Sequence, residues 1–314
     1  MANLRPALPL IKGRHGAAII MALMVVIIAA SLAYALLDGQ DLAIRQTEGI
    51  TARAQAMEQA RAAMDRMAQE LLRAGIRDIG AAGDDGSLSA TLDLTAGAGV
   101  RLTVHDEQGK LNLNNLVVKD KPSAVDIKIF INLLQSLNLS PSLADTLTDW
   151  MDPDQQRRLP GGAEDDYYLG LIPPRLTGGR PLAAPEEAAM AKGFGADEVK
   201  LLLPHITALP SHVRLNVNSA TAPALAAAIE GLNADQARNI VNARKDAPFA
   251  TMAEFRGKLP QQAPGFREES FTLISEYYLI VAEVDRPGAW VRLETLAHLD
   301  REKQIIETIW RRSI

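Results

Sequence analysis

Seven carboxylates fall between residues 145 and 166: Asp145, Asp149, Asp152, Asp154, Glu164, Asp165 and Asp166. Within that stretch only Arg157 and Arg158 oppose them. Crowding so many carboxylates is unfavourable unless they face water or share a hard cation such as Ca²⁺, which takes about six to eight oxygens. Asp152 and Asp154 resemble the opening of an EF-hand loop, but Arg157 stands at its glycine position and Ala163 at its bidentate glutamate position, so the loop is not an EF-hand. Magnesium is the weaker choice, because nothing nearby suggests a phosphate substrate. A glycosidase-like carboxylate pair would want sugar-stacking aromatics, and only Trp150, Tyr167 and Tyr168 lie close in sequence. A solvated acidic loop and a calcium loop both remain open at this level.

Other chemistry is narrowed by composition. There is no cysteine, which excludes thiol catalysis and iron–sulfur centres. The five histidines, at 15, 105, 205, 212 and 298, show no His-x-x-x-His spacing and argue against a zinc hydrolase. A net charge of −5 argues against a nucleic-acid coat and leaves room for cations.

The elements that must position the acidic loop follow from patterning. Residues 122–137 and 140–151 read as helices, the second with Ser140 as N-cap and Pro141 in the first turn. The glycine- and proline-rich stretch 152–185 breaks regular structure, and short helices follow at 185–192, 197–203, 219–229, 233–244 and 251–259. Alternation predicts a hairpin from 89–94 and 100–105, a turn at 106–110 and a short strand at 111–114 with one buried and one hydrogen-bonding face. Residues 271–284 and 289–299 are strand-like, and 304–311 makes a last strand or short helix. A helical insertion interrupting one sheet is the simplest architecture for this order.

The N-terminal part is of another kind. Residues 17–37 hold no charge, proline or glycine, and at about 1.5 Å per residue they span about 31 Å, a bilayer's hydrocarbon thickness. Arg5, Lys12 and Arg14 precede the run, so the positive-inside rule puts the short N-terminus in the cytoplasm and the remainder across the membrane. No proline interrupts residues 38–74, where Ile50, Ala54, Met57, Met64, Ala68 and Leu71 form an apolar stripe, so the helix continues as an amphipathic extension. Residues 216–255 are similar to the helix-hairpin-helix modules of exported DNA-uptake proteins. However, the hairpin has a single glycine, Gly231, and Arg238, Arg244 and Lys245 are offset by Glu230, Asp235 and Asp246. A membrane-anchored periplasmic DNA-binding or uptake protein is therefore the alternative reading, and nucleic acid is not expected as a partner.

Together these features resemble the minor pseudopilin K family of the type II secretion system. The likeness rests on the basic leader ending in Gly16, the absence of glutamate at the fifth mature position (Met21), and the segment DEQGKLNLN at 106–114. It rests further on Asp149–Trp150–Met151–Asp152–Pro153–Asp154, Gly162–Ala163–Glu164–Asp165 with Tyr167–Tyr168, Arg180–Pro181–Leu182 and Asn216–Val217–Asn218. Ala17, where pseudopilins generally have phenylalanine, departs from the pattern. The resemblance implies an α+β fold in which a long N-terminal transmembrane helix packs on an antiparallel pseudopilin sheet, with a large all-helical domain inserted between strands. The corresponding parts are a prepilin leader (1–16), the transmembrane helix (17–37) and the pseudopilin helix with its first strands (38–115). The inserted domain (116–265, helix-hairpin-helix-like over 216–259) and the C-terminal strands (266–314) follow. It further implies a non-enzymatic inner-membrane, single-pass protein with a periplasmic head, cut between Gly16 and Ala17 by a prepilin peptidase. Such a protein joins minor pseudopilins I and J, and other pseudopilins, at a pseudopilus tip serving protein secretion. Structural calcium is implied on Asp149, Asp152, Asp154, Glu164, Asp165 and Asp166, and partner contact through Met21, Ile50, Met57, Met64 and Leu71, the last four of which could equally pack on the chain's own sheet.

Overall fold

The computed structural model describes residues 15–74, 81–82, 88–93, 99–260, 263 and 265–313. Helix α1 (His15–Arg73) is continuous for 59 residues. Its stretch Ala18–Asp38 has a mean hydropathy of 2.7 and no buried residue, so one helix is long and apolar enough to cross a membrane. Gly16 and Ala17 lie on the first turn of α1, and residues 1–14 of the leader fall outside the described residues.

The sheet runs β1 (Ala81–Ala82), β2 (Leu88–Asp93), β3 (Val100–Asp106), β10 (Tyr277–Arg286), β11 (Ala289–Asp300), β12 (Ile305–Ser313), antiparallel throughout. Alternation along the strands puts Val100, Leu102, Val104, Ile280, Ala282, Val284, Val291 and Leu293 on one face, where they pack on α1. From α1 come Ala56, Ala60, Met64, Met67, Ala68 and Leu71, at the three- and four-residue spacing that lines one side of a helix. The hairpin turn before β11 leans on the same helix, since a Cβ on Gly288 would lie 3.6 Å from that of Ala52. The last segment, open between strand and helix in the sequence, is strand β12.

Of the two uses open to the stripe, a partner surface or the chain's own sheet, this packing takes the second for Met57, Met64 and Leu71. Met64 is 1% and Leu71 0% exposed, and Met57 packs partly against the same cluster, so these side chains lie on the chain's own sheet. Ile50, at 72%, and Met21, at 64%, stay open. The stripe continues past the point where the sheet ends, and only its membrane-proximal part is free.

Between β3 and β10 the chain leaves the sheet and builds two further cores. The first joins α2 (Ala124–Ser136), α3 (Leu143–Met151), α4 (Asp165–Tyr168) and α5 (Ala196–Leu202) around Phe130, Leu134, Leu147 and Tyr168. The second joins α6 (Ala222–Ala228), α7 (Ala234–Asp246) and α8 (Met252–Arg256) around Leu225, Ile240 and Phe255. The segment is not all-helical as expected. It also holds three two-residue ladders: β4 (Leu111–Asn112) with β7 (Ile206–Thr207), β5 (Val117–Val118) with β6 (Lys121–Pro122), and β8 (Leu215–Asn216) with β9 (Phe271–Thr272). Its cores begin at Leu113 and reach Phe271, wider than the expected limits of 116 and 265.

Local capping accounts for most helix starts. Ser123, Thr221, Asn233 and Thr251 each accept a backbone N–H with the side chain, and Asn233 forms a capping box with Gln236. Ser140 is not the cap of α3. The chain turns through residues 141–142 first, and the Ser140 hydroxyl bonds instead to Ser142.

The joint between sheet and cores is polar. Asp106 ends β3 and is 4% exposed; its Oδ2 accepts from the Ser275 hydroxyl at 2.8 Å, and burial raises its pKa above the ordinary carboxylate value. The segment expected as a strand at 111–114 turns into a 3₁₀ helix at Leu113–Leu116, and both its faces are buried. Asn114 holds Leu182 in both directions, donating from Nδ2 to its carbonyl at 3.0 Å and accepting its N–H at 2.8 Å, and donates to the Leu209 carbonyl at 2.9 Å. Asn114→Ala strands these buried backbone groups, so a loss of about 1–3 kcal/mol is expected in chemical denaturation, whereas Asn114→Asp should lose at least as much.

Candidate metal centre

The acidic loop is assembled by α3, which ends at Met151, and by the turn leading into α4. Asp149 lies on the last turn of α3 and is 0% exposed; Asp152 is its C-cap at 2%. Glu164, at 3%, is the N-cap of α4 and uses its side chain for no capping bond. One carboxylate oxygen from each of Asp152, Asp154 and Glu164 lies within 4.8 Å of the others, with Asp154 exposed. Gly162 lets the chain pass close to Asp149. A Cβ there would strike the Asp149 carboxylate and the Arg158 backbone.

The hydrogen bonding is lopsided. Asp149 Oδ2 accepts the Arg158 N–H at 3.0 Å, and Asp154 Oδ1 accepts that of Gln156 at 2.7 Å. Asp149 Oδ1, Asp152 Oδ1 and both Glu164 oxygens are buried without a hydrogen-bond partner. Buried acceptors lacking a donor cost roughly 1–3 kcal/mol each, more when charged. Desolvation, reinforced by the neighbouring carboxylates, pushes the pKa of Asp152 up to about 7 and that of Glu164 up to about 8. Asp149 is pushed up to about 6 by desolvation, against which the Arg158 N–H bond and guanidinium act. A hard divalent cation would supply what these oxygens lack.

Two of the expected ligands are directed elsewhere. Asp165 Oδ1 accepts from the N–H and hydroxyl of Thr177 at 2.8 and 2.9 Å. Asp166 is exposed and pairs with Arg157, which holds its carboxyl below the usual range. The aromatics are structural: Trp150 and Tyr168 meet edge to face at 5.0 Å and are 5% and 0% exposed, leaving no stacking face for a sugar. The Tyr168 hydroxyl accepts the Lys192 N–H at 2.9 Å, tying the loop to the following segment.

The helix-hairpin-helix-like part gives the DNA reading no support. Arg244 is 2% exposed and donates to the carbonyls of Val217 and Ala220, and Arg238 pairs with Asp235. Asn218 accepts the Phe249 N–H and donates to its carbonyl, so the Asn216–Val217–Asn218 motif braces this core. The asparagine bracing at 112–115 and 216–218 was the feature least visible in the sequence; its only signal was asparagine recurring among leucine and valine.

An apolar helix bearing an antiparallel sheet, with an outgrowth between two of its strands, is consistent with a membrane-anchored subunit. The family described as type II secretion system (T2SS), protein K matches residues 109–211 and again residues 215–273. The chain is 32% identical over 286 residues to type II secretion system protein K of Pseudomonas aeruginosa, covering 87% of this chain and 85% of that one. It is 34% identical to the Klebsiella pneumoniae protein of the same description, over 49% of this chain and 51% of that one. The fold matches the crystal structure of the GspK-GspI-GspJ complex from enterotoxigenic Escherichia coli with a TM-score of 0.65 at 19% identity, covering 83% of this chain and 98% of that one. The chain belongs to the type II secretion system protein K family, and is a minor pseudopilin.

Proposed function

We propose that this pseudopilin is trimmed between Gly16 and Ala17 by a prepilin peptidase and stands in the inner membrane with its N-terminus cytoplasmic and its head periplasmic. Residues 107–276 act as an inserted domain crowning the head. The protein assembles with minor pseudopilins I and J, the companions of GspK in the matching complex, to form the tip of the pseudopilus and start its assembly. The observation that carries the reading is α1: its stretch Ala18–Asp38 is apolar with no buried residue, while the part from Ala56 to Leu71 is packed on the sheet. Such a helix can pack sideways among similar helices while its head rides on top. Met21 suits a tip position, since a membrane carboxylate there would have no neighbouring amine to meet.

The head performs no turnover in this reading. Calcium is held by Glu164, Asp152 and Asp154, and it braces the loop that α3 and α4 hold between them. The unpartnered buried oxygens favour this over a merely solvated loop. Co-expression of the full chain with minor pseudopilins I and J, followed by detergent extraction and affinity purification, is expected to give a three-component complex whose K chain begins at Ala17 by mass spectrometry. Recovery of the chain alone, or with residues 1–16 retained beside an active peptidase, would overturn the assignment.

A further inference from the structure

The inserted segment hangs from the sheet by two crossings, one leaving β3 at Asp106 and one entering β10 at Tyr277. Element ends of this kind are where hinges form. The packing beside them is thin. Leu209 meets Tyr277 and Leu296 across the joint, and next to that contact a cavity of about 230 Å³ opens between Leu203 and Ile206 on one side and Leu279 and Trp310 on the other.

Side chains from the outgoing crossing bolt this hinge. Ser275 Oγ donates to Asp106 Oδ2 at 2.8 Å and accepts from Asn216 Nδ2 at 2.7 Å, so the returning crossing and the second helical core meet at one carboxylate. Gln108, 4% exposed, accepts the N–H groups of Glu276 and Tyr277 and donates to the Arg214 carbonyl at 3.3 Å. Gly109 brings the same crossing against the second core, since a Cβ there would strike the Ser219 carbonyl. The bonding then runs on to the helix. The Tyr278 hydroxyl donates to the Ser275 carbonyl at 2.9 Å and accepts from Arg301. Arg301 also donates from Nη1 and Nη2 to the Leu72 and Leu71 carbonyls, both at 2.8 Å. Carbonyls of a helix's last turn lack intrahelical donors, so Arg301 ties the end of α1 to the clasp.

We propose that this clasp is a locked joint, which fixes the inserted domain at one angle to α1, so that the two turn together and the insert does not swing on its crossings. Hydrogen bonds hold only near their own distance and angle. Several that converge from the outgoing crossing, the returning crossing and the second core therefore leave one orientation that satisfies all of them. A small swing would strand buried donors and acceptors before water could reach them. Asp106 and Gln108 are the bolts, and Arg301 carries the lock to the helix.

The test uses the absence of cysteine, which lets two introduced ones carry labels alone. Nitroxides at the exposed positions Gln55→Cys on α1 and Asn239→Cys on α7 are read by double electron–electron resonance on the full chain in detergent. One narrow distance distribution is expected. Asp106→Ala/Gln108→Ala is expected to widen it severalfold while the near-ultraviolet circular dichroism of the folded chain persists. Asn114→Ala, which weakens the first core away from the clasp, is expected to stay narrow. A wide distribution in the labelled parent, a narrow one in Asp106→Ala/Gln108→Ala, or equal widening in Asn114→Ala would overturn the inference. Should the double variant fail to fold, Ser275→Ala removes only the hydroxyl between Asp106 and Asn216; widening is expected there too, and an unchanged distribution would count against the lock.

Discussion

Chelation at pH 8 is expected to lower the melting temperature of the head by about 8–16 °C, with a much smaller loss at pH 5.5. A cation present at about a thousand times its dissociation constant contributes about 4 kcal/mol, and each kcal/mol moves the transition of a domain this size by about 2–4 °C. The pH dependence follows from the raised carboxyls. Asp149, Asp152 and Glu164 rise from the ordinary range near 4 to about 6, about 7 and about 8. In the ion-free protein each binds its proton more tightly folded than unfolded. The associated stability is therefore fully present below about pH 4 and is lost as pH rises through 6 to 8. Calcium must displace those protons, so the difference between loaded and stripped protein widens over the same window. Differential scanning calorimetry at the two pH values, with and without EDTA, measures it. Equal chelation shifts at both would mean that Asp149, Asp152 and Glu164 do not hold the ion. Glu164→Gln, which removes one buried charge but keeps the shape, should abolish the calcium response at either pH.

The second large effect separates two uses of one helix. Leu71→Ala, at a fully buried position between α1 and the sheet, should destabilise the head by about 2–5 kcal/mol. Ile50→Ala, at a position 72% exposed, should leave head stability within about 0.5 kcal/mol of the parent yet weaken recovery of minor pseudopilins I and J. Urea denaturation measures the first and co-purification the second. A Leu71→Ala chain as stable as its parent would mean that the stripe faces outward after all. An Ile50→Ala chain with undiminished partner recovery would place the lateral contact elsewhere along α1.

These two residues mark how far the sequence could be read. The spacing of Met57, Met64 and Leu71 located the stripe on α1, because a helix repeats every three or four residues whatever it packs on. It could not say where the sheet stops, since that depends on strand length and on the lean of the hairpin at Gly288 against Ala52. The acidic loop was legible in the same partial way. Charge density drew attention to all seven carboxylates, but burial separates them. Asp152 and Glu164 are buried and Asp149 is packed directly against Gly162, while Asp166 points outward to Arg157. The 3₁₀ turn after Leu111–Asn112 was missed because distant partners set it. Asn112 is held by Leu209 and Ser211, and Asn114 by Leu182 and Leu209, none of them near in sequence.

The adjacency of β3 and β10 has a consequence for how the molecule is made. Seven of the register pairs that complete the sheet join residues 100–106 to residues 278–284, so they cannot form until nearly the whole chain has emerged. Closing so long a loop slows pairing, and the two helical cores, whose contacts are mostly local, should assemble first. Until then Ala60, Met64 and Leu71 on α1 lack the β10 and β11 side chains that cover them. A chain that stops short of β11 would therefore expose the apolar side of α1 that β10 and β11 cover, an obvious substrate for proteolysis.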